Sequence, residues 1–186
     1  RDQSPPVISV ADNDGSRGLT ALLVAARITG YTEPTFVSFD MERGIDDEPR
    51  AVDVYSEHYA PVGKVGFMVR DDYGFEVGYS PDGLVGNTGL VEVKSRRQKK
   101  QLQTVVAGEV PAENMAQLQC GLFVSGREWC DYLSYSGGMH MWKTRVTPDP
   151  CWFAAIVEAV TAFEKAAEEM ASRYLTAVKG LPMTER

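Results

Sequence analysis

Between Tyr79 and Lys94 the chain reads Tyr-Ser-Pro-Asp-Gly-Leu-Val-Gly-Asn-Thr-Gly-Leu-Val-Glu-Val-Lys. Asp82 stands upstream of a Glu92-Val93-Lys94 triplet, and a Gly86-Asn-Thr-Gly89 turn separates two strand-like runs. That composition predicts a β-hairpin. Residues two apart on an extended strand share a face. Glu92 and Lys94 therefore point one way, while Val91 and Val93 point into the core. Asp82, on the neighbouring strand, can swing beside Glu92. Two carboxylates with an ammonium next to them suit a hard divalent cation. A cation held there is equipped to cut a phosphodiester.

The elements that must position these groups follow from periodicity and breakers. Ser16 can cap a helix over residues 19–28 that ends at Gly30, with Leu19, Leu22, Leu23 and Ala26 as its apolar stripe. A second helix is predicted over 46–59, with Asp46 and Asp47 at the positive end of its dipole and Val54 and Tyr55 inward. Strands are expected at 64–70, 75–79 and 90–95. Pro111 opens a helix to about Val124, with Met115, Leu118 and Leu122 on one face. Strands over 129–135 and 140–146 come next, and Asp149-Pro150 starts a long helix that stops at Gly180. Phe153, Ile156, Val160, Phe163 and Met170 form its buried side. This order, without repeats or a linker, predicts one domain over 1–186: a central mixed sheet flanked by helices, α/β or α+β.

Composition sets further bounds. An apolar fraction of 44% and 10% aromatics are ordinary for a globular chain of 186 residues. No apolar run approaches the ~20 residues of a membrane span, and no signal-peptide pattern opens the sequence. Three cysteines (Cys120, Cys130, Cys151) are too few for a four-thiolate iron–sulfur cluster and too scattered for zinc. Their number argues for a reducing compartment, so the cytoplasm is the expected location. The net charge of −7 runs against simple nucleic-acid binding. Distribution matters more than the sum, however. Lys94, Arg96, Arg97, Lys99 and Lys100 follow one another closely, directly after the acidic pair. A basic strip leading out of an acidic pocket suits a polyanion guided onto cations.

Asp82, Glu92 and Lys94 resemble the signature of the PD-(D/E)XK nuclease superfamily. Ser80-Pro-Asp-Gly-Leu84 followed by Gly89-Leu-Val-Glu-Val-Lys94 is similar to its phage lambda exonuclease-like branch, the YqaJ-type alkaline exonucleases. The resemblance implies a restriction-endonuclease-like fold and catalysis with a pair of Mg²⁺ ions, for which Mn²⁺ can substitute. It makes Asp82, Glu92 and the backbone carbonyl of Val93 the protein ligands. Lys94 would orient the attacking water or stabilise developing charge; as a general base it would first have to give up its proton.

Further matches extend the site. Arg43-Gly-Ile-Asp-Asp-Glu-Pro-Arg-Ala51 stands where the family has a helix with an additional acid near the metals, which makes Glu48 a ligand of the second ion or its waters. Asn114-Met-Ala-Gln-Leu-Gln119 is similar to a family helix whose first Gln faces the active site, here Gln117. Its amide can donate to a phosphate and accept from Lys94. Ser16-Arg-Gly-Leu-Thr-Ala21 resembles the family segment whose Arg grips a terminal 5′ phosphate, although Leu22 replaces the family's Ser. Arg17 would fill that role, and Arg96, Arg97, Lys99 and Lys100 would contact the DNA backbone. His58, His140 and the tryptophans read as structural.

The resemblance implies an enzyme that digests linear duplex DNA from an end, 5′ to 3′, in phage-type recombination. It also implies a single-strand annealing protein as partner and a trimeric ring. Two other readings use the same residues: an endonuclease on the same site, and an inactive nucleic-acid-binding module. The intact acid–acid–lysine set opposes the second.

Overall fold

A computed structural model of the protein describes residues 8–186. Its elements run α1 (Asp14–Thr29), α2 (Phe39–His58), β1 (Val62–Gly63), β2 (Met68–Arg70), β3 (Val77–Tyr79), β4 (Gly83–Val85), β5 (Gly89–Ser95), α3 (Gln98–Ala107), α4 (Ala112–Ser125), β6 (Trp129–Tyr135), β7 (Trp142–Val146) and α5 (Pro150–Ala177). They group into two compact units. One is Phe36–Ala154; the other joins Ala155–Arg186 to the chain up to Thr35.

The larger unit is built on a five-stranded mixed sheet in the order β1-β4-β5-β6-β7. Only β5 and β6 run parallel; the other neighbours are antiparallel. A parallel pair needs a long crossover, and here α3 and α4 provide it. The predicted hairpin is present as β4 and β5, with Gly86 at φ 53° in its turn, a conformation that side chains with a Cβ rarely take. β2 and β3 form a separate two-stranded ribbon.

Alternation along β5 divides the core. Val91 and Val93 join Ala51 and Tyr55 of α2, with Val85 and Leu133, in one cluster of buried residues. Leu90, Glu92 and Lys94 have the opposite parity and so face the other way. On that face α4 packs against β2, β3, β5 and β6 and buries Leu118, Leu122 and Phe123. α4 approaches β3 closely. A Cβ at Gly121 would lie 2.5 Å from the Tyr79 ring, so only glycine fits without displacing the tyrosine.

α2 is pinned to the sheet by polar contacts as well. The Tyr55 hydroxyl donates to the buried Asp131 on β6 at 2.7 Å, and Arg145 of β7 grips the same carboxylate at 2.8 and 3.0 Å. Burial alone would raise the Asp131 carboxyl, but its bonds to Arg145 and Tyr55 hold it below the usual range. At the other end of β5, Ser95 Oγ donates to buried Asp47 at 2.7 Å.

In the smaller unit, α1 opens with a reciprocal capping box between Asn13 and Ser16 and ends at Gly30. Arg27 makes two bonds of 2.7 Å to Glu164, and Val24 and Ala167 are buried.

Several sequence expectations need correction. α1 begins at Asp14, with Asn13 as its cap and Ser16 inside the box. Its expected apolar stripe is not buried: Leu19, Leu22 and Leu23 are exposed, and Val24 is the residue covered. α2 begins at Phe39, capped by Ser38, well before Asp46. Its first-turn acids are Asp40 and Glu42, so Asp46 and Asp47 do not serve its dipole, and Pro49 lies inside the helix. The run predicted as a strand over 64–70 is reduced to β2. The basic run after Lys94 leads into a helix, α3, that the sequence did not announce. On α5, Phe153, Ile156, Val160, Phe163 and Met170 are half-buried, and Ala167 is the buried residue.

Gly121→Ala is expected to lower stability by ~1–3 kcal/mol, because the added methyl overpacks the contact with Tyr79. Urea unfolding of the variant beside the unmutated chain checks this. An unchanged midpoint would show that the tyrosine moves without resistance.

Candidate active site

Past the end of β4 the sheet opens into a pocket of about 390 Å³. It is lined by Asp40, Met41, Gly44, Ile45, Glu48, Asp82, Glu92, Val93, Lys94, Ser95 and Gln117. Glu48, Asp82, Glu92, Val93, Lys94 and Gln117, six residues singled out from sequence, therefore share one cavity. α2 supplies Glu48, the loop between β3 and β4 supplies Asp82, β5 supplies Glu92 to Lys94, and α4 supplies Gln117.

Glu92 is 1% exposed. A carboxylate so placed must be fully hydrogen-bonded. Its Oε2 accepts from the Tyr79 hydroxyl at 2.7 Å. Its Oε1 accepts from Lys94 Nζ at 2.7 Å and from Gln117 Nε2 at 2.6 Å. Lys94 also donates to Gln117 Oε1 at 2.7 Å, which closes a three-membered ring of contacts. The amide of Gln117 thus bridges both ionic groups through its two ends. Burial, and then the charge of Glu92, push the Tyr79 hydroxyl well above its ordinary range, so it remains a donor.

Asp82 has a different role in the packing. Its Oδ2 accepts the backbone N–H of Val93 at 2.6 Å, which replaces the bond that a longer β4 would have made. Strand residues direct N–H and C=O to the same side, so the Val93 carbonyl faces the same gap. Burial raises the Asp82 carboxyl to about 7, with further push from the charge of Glu92 and a smaller one from Glu48. This is the behaviour of a buried acid with like charges beside it, which the Val93 N–H and Lys94 offset only in part. Glu48 is exposed and has no hydrogen-bond partner among the described residues. The three acids line one pocket without closing on a single point: among the described residues no three His, Cys, Asp or Glu side chains are gathered tightly enough to enclose an ion. All the available donors are oxygens, from Asp82, Glu92, Glu48 and the Val93 carbonyl. They could hold a hard cation that keeps several of its own waters.

The basic residues are distributed less simply than a strip. Arg96 turns inward, contrary to the expected backbone contact. Its Nη2 bonds Asn114 of α4 and the Tyr132 hydroxyl, the latter at 2.9 Å. It ties α4 to the sheet, because it shares the strand face of Glu92 and Lys94. Lys100 pairs with Glu113 at 2.8 Å, and Arg97 with Asp40 at 3.0 Å. Lys99 is exposed. Arg17 belongs to the smaller unit, where Asp12 and Asp14 hold its guanidinium at 2.5 and 2.8 Å.

Tyr79 and Ser95 escaped the sequence reading. A tyrosine directly before Ser-Pro-Asp looks like any core aromatic, and only its hydroxyl's position against Glu92 gives it a part in the site. Ser95, next in the chain after Lys94, could have been suspected by adjacency alone. Gln119, set aside in the sequence, is structural: its amide bridges the Thr147 carbonyl and the Asp149 N–H.

Residues 17–128 match the family model of the YqaJ-like viral recombinase domain. Among solved structures, the chain is similar to the alkaline exonuclease LHK-Exo of Laribacter hongkongensis, with 29% identity and a TM-score of 0.82 over 93% of this chain and 90% of that one. A structure of LHK-Exo in complex with dAMP gives 30% identity and 0.83 over 92% and 89%. A phage-related exonuclease of Haemophilus somnus 129PT shares the fold, at a TM-score of 0.65 and 12% identity over 87% of this chain and 85% of that one. No curated protein sequence matches the chain.

The raised Asp82 carboxyl has a defined consequence for stability. An acid whose folded value lies above its unfolded value of about 3.9 favours the fold while protonated. That contribution is present below about pH 4 and is lost as pH rises through about 7. Asp82→Asn keeps an acceptor for Val93 and removes the charge. The metal-free variant is therefore expected to melt higher than the unmutated chain at pH 8, by on the order of 1–3 kcal/mol, with the gap closing by pH 4. Thermal unfolding at the two pH values decides; equal melting at pH 8 would contradict the cost of the buried charge.

Proposed function

The chain belongs to the YqaJ-like viral recombinase family, and on the geometry of its pocket we propose that it is a divalent-cation-dependent exonuclease acting on linear duplex DNA. The observation that carries this reading is the convergence of Asp82 and Glu92 with Lys94 and Gln117 in one cavity. The similar LHK-Exo is an alkaline exonuclease crystallised with a deoxynucleoside monophosphate, the kind of product that end-wise hydrolysis releases.

The oxygen donors suit Mg²⁺, with Mn²⁺ as a substitute. Asp82, Glu92 and the Val93 carbonyl are the proposed ligands, and Glu48 the acid for a second ion or its waters. When bound, such ions neutralise phosphate charge and supply a nucleophile at neutral pH. The chain's own residues do the rest. Lys94 has three protons to donate. Two are directed at Glu92 and Gln117, which leaves one for a phosphoryl oxygen or the attacking water. Gln117 fixes the ammonium and has an N–H left to orient substrate. Tyr79 keeps Glu92 from rotating by holding its far oxygen. Asp82 braces Val93, so the position of one ligand depends on the other.

A 5′ to 3′ direction, a trimeric ring and a single-strand annealing partner form part of the proposal through the family resemblance. No phosphate contact by Arg17 is needed for it. Among the described residues, no helix is long and apolar enough to cross a membrane.

Linear and nicked circular plasmid, each incubated with Mg²⁺ and then with EDTA, test the reading. Linear DNA should disappear, circles should persist, and EDTA should stop the reaction. Loss of circles would identify an endonuclease instead. Asp82→Ala and Lys94→Ala should each lower turnover by at least ~100-fold while circular dichroism shows an intact fold. Full turnover by either purified variant would refute the assignment.

A further inference from the structure

Beside the catalytic pocket lies a second cavity of about 590 Å³ lined by Arg43, Arg97 and Lys99, among others. The two cavities meet at Asp40. This carboxylate lines the first pocket and holds the arginines of the second. Arg43 Nη1 donates to Asp40 Oδ1 at 2.6 Å. Arg97 grips it with a fork, Nε to Oδ1 at 3.0 Å and Nη2 to Oδ2 at 3.0 Å. Two guanidinium groups converging on one pair of oxygens reproduce the geometry with which arginines take a phosphate.

The surroundings favour an exchange of anions. Asp40 and Arg97 are both widely exposed, at 51% and 70% of the side chain. An exposed ion pair of that kind contributes little to the fold and is readily given up. Arg43, by contrast, is 25% exposed and donates from Nε to Ser95 Oγ at 3.0 Å. It is fixed to the strand that carries Glu92 and Lys94, and so stands at a set distance from the catalytic groups. Arg97 also begins α3, whose first turn has neither an acid nor a side-chain cap. Its free backbone N–H groups and dipole add to the attraction for an anion.

We propose that Arg43 and Arg97 form a seat for a backbone phosphate of the DNA strand in the active site, and that Asp40 is a built-in stand-in which that phosphate displaces. The seat deepens the proposed nuclease reading and rests on it. It registers the strand against Lys94 without touching the scissile bond. Asp40 keeps both guanidinium groups converged on one point while the site holds no DNA, and it sets a threshold that weaker anions do not cross.

Binding of a fluorescently labelled short duplex, followed by anisotropy in EDTA over a series of KCl concentrations, tests the seat without turnover. Arg97→Ala should bind about tenfold more weakly at low salt. Its slope of log K against log salt should fall by about one. Arg97→Lys should restore the slope and leave the affinity low, because it keeps the charge and loses the fork. Asp40→Asn should bind about fivefold more tightly, since the competing anion is gone. That gain should vanish when Arg97→Ala is added. Unchanged affinity and slope in Arg97→Ala would overturn the seat, as would full recovery by Arg97→Lys. Weaker binding by Asp40→Asn would overturn the stand-in. If the unmutated chain bound no DNA at any salt, the nuclease reading itself would fall.

Discussion

A carboxylate buried inside a sheet is tolerable only when every lone pair facing the protein is answered. Glu92 is such a group, and the architecture around the site follows from satisfying it. Tyr79 reaches it from β3, Lys94 from the same strand and Gln117 from α4. Each partner comes from a different element, so the burial of one charge fixes three elements relative to one another. Gly121 belongs to the same requirement, since its lack of a side chain lets α4 come close enough for Tyr79 and Gln117 to bond the same carboxylate. Rigidity of this kind is what a site for phosphoryl chemistry needs, because small misplacements of a catalytic group are expensive in rate.

The opposite face of β5 is organised by a second buried acid. Asp131 draws Tyr55 of α2 and Arg145 of β7 to the sheet, and Asp47 adds a bond to Ser95. These contacts and the apolar cluster around Ala51 hold α2 in place. α2 then presents Glu48 and Asp40 at the edge where β4 stops. The two faces therefore have separate jobs. One secures a helix; the other arranges the charged groups. They meet at the gap beyond β4, where Asp82 takes the place of a missing strand residue and the pocket opens.

How much of this could be read beforehand depended on how local its cause was. The β4–β5 hairpin, β6 and α4 were legible because turn glycines, alternation and a proline start act over a few residues. The start of α2 was not. Asp46 and Asp47 ahead of Pro49 look like a first turn, where proline is at home, yet the helix begins at Phe39 and runs through the proline. Its attachment to β5 and β6 outweighs the local signal. α3 was missed for a similar reason: a basic, weakly amphipathic run reads as solvated loop, and the crossover between parallel strands makes a helix of it. Arg96 illustrates the limit at the level of a single residue. In the sequence it is one cation in a row; in the fold, strand parity sends it inward to Asn114 and Tyr132 while Arg97 stays outside.

The sequence by itself determined that Asp82, Glu92 and Lys94 stand in one neighbourhood. Glu92 and Lys94 share a face of β5 through its period-two pleat, and the hairpin brings Asp82, directly before β4, to the same pocket. Only the tertiary structure showed that Tyr79 holds the far oxygen of Glu92 and that Asp40 and Arg43 stand at the same pocket, because these residues come from separate helices and strands. It also decided which cations face outward and which are consumed in packing. The physical reason is one of range. Backbone pleat and turn conformation are set by neighbours in sequence, whereas the pairing of buried charges is settled by whichever elements the core packs side by side.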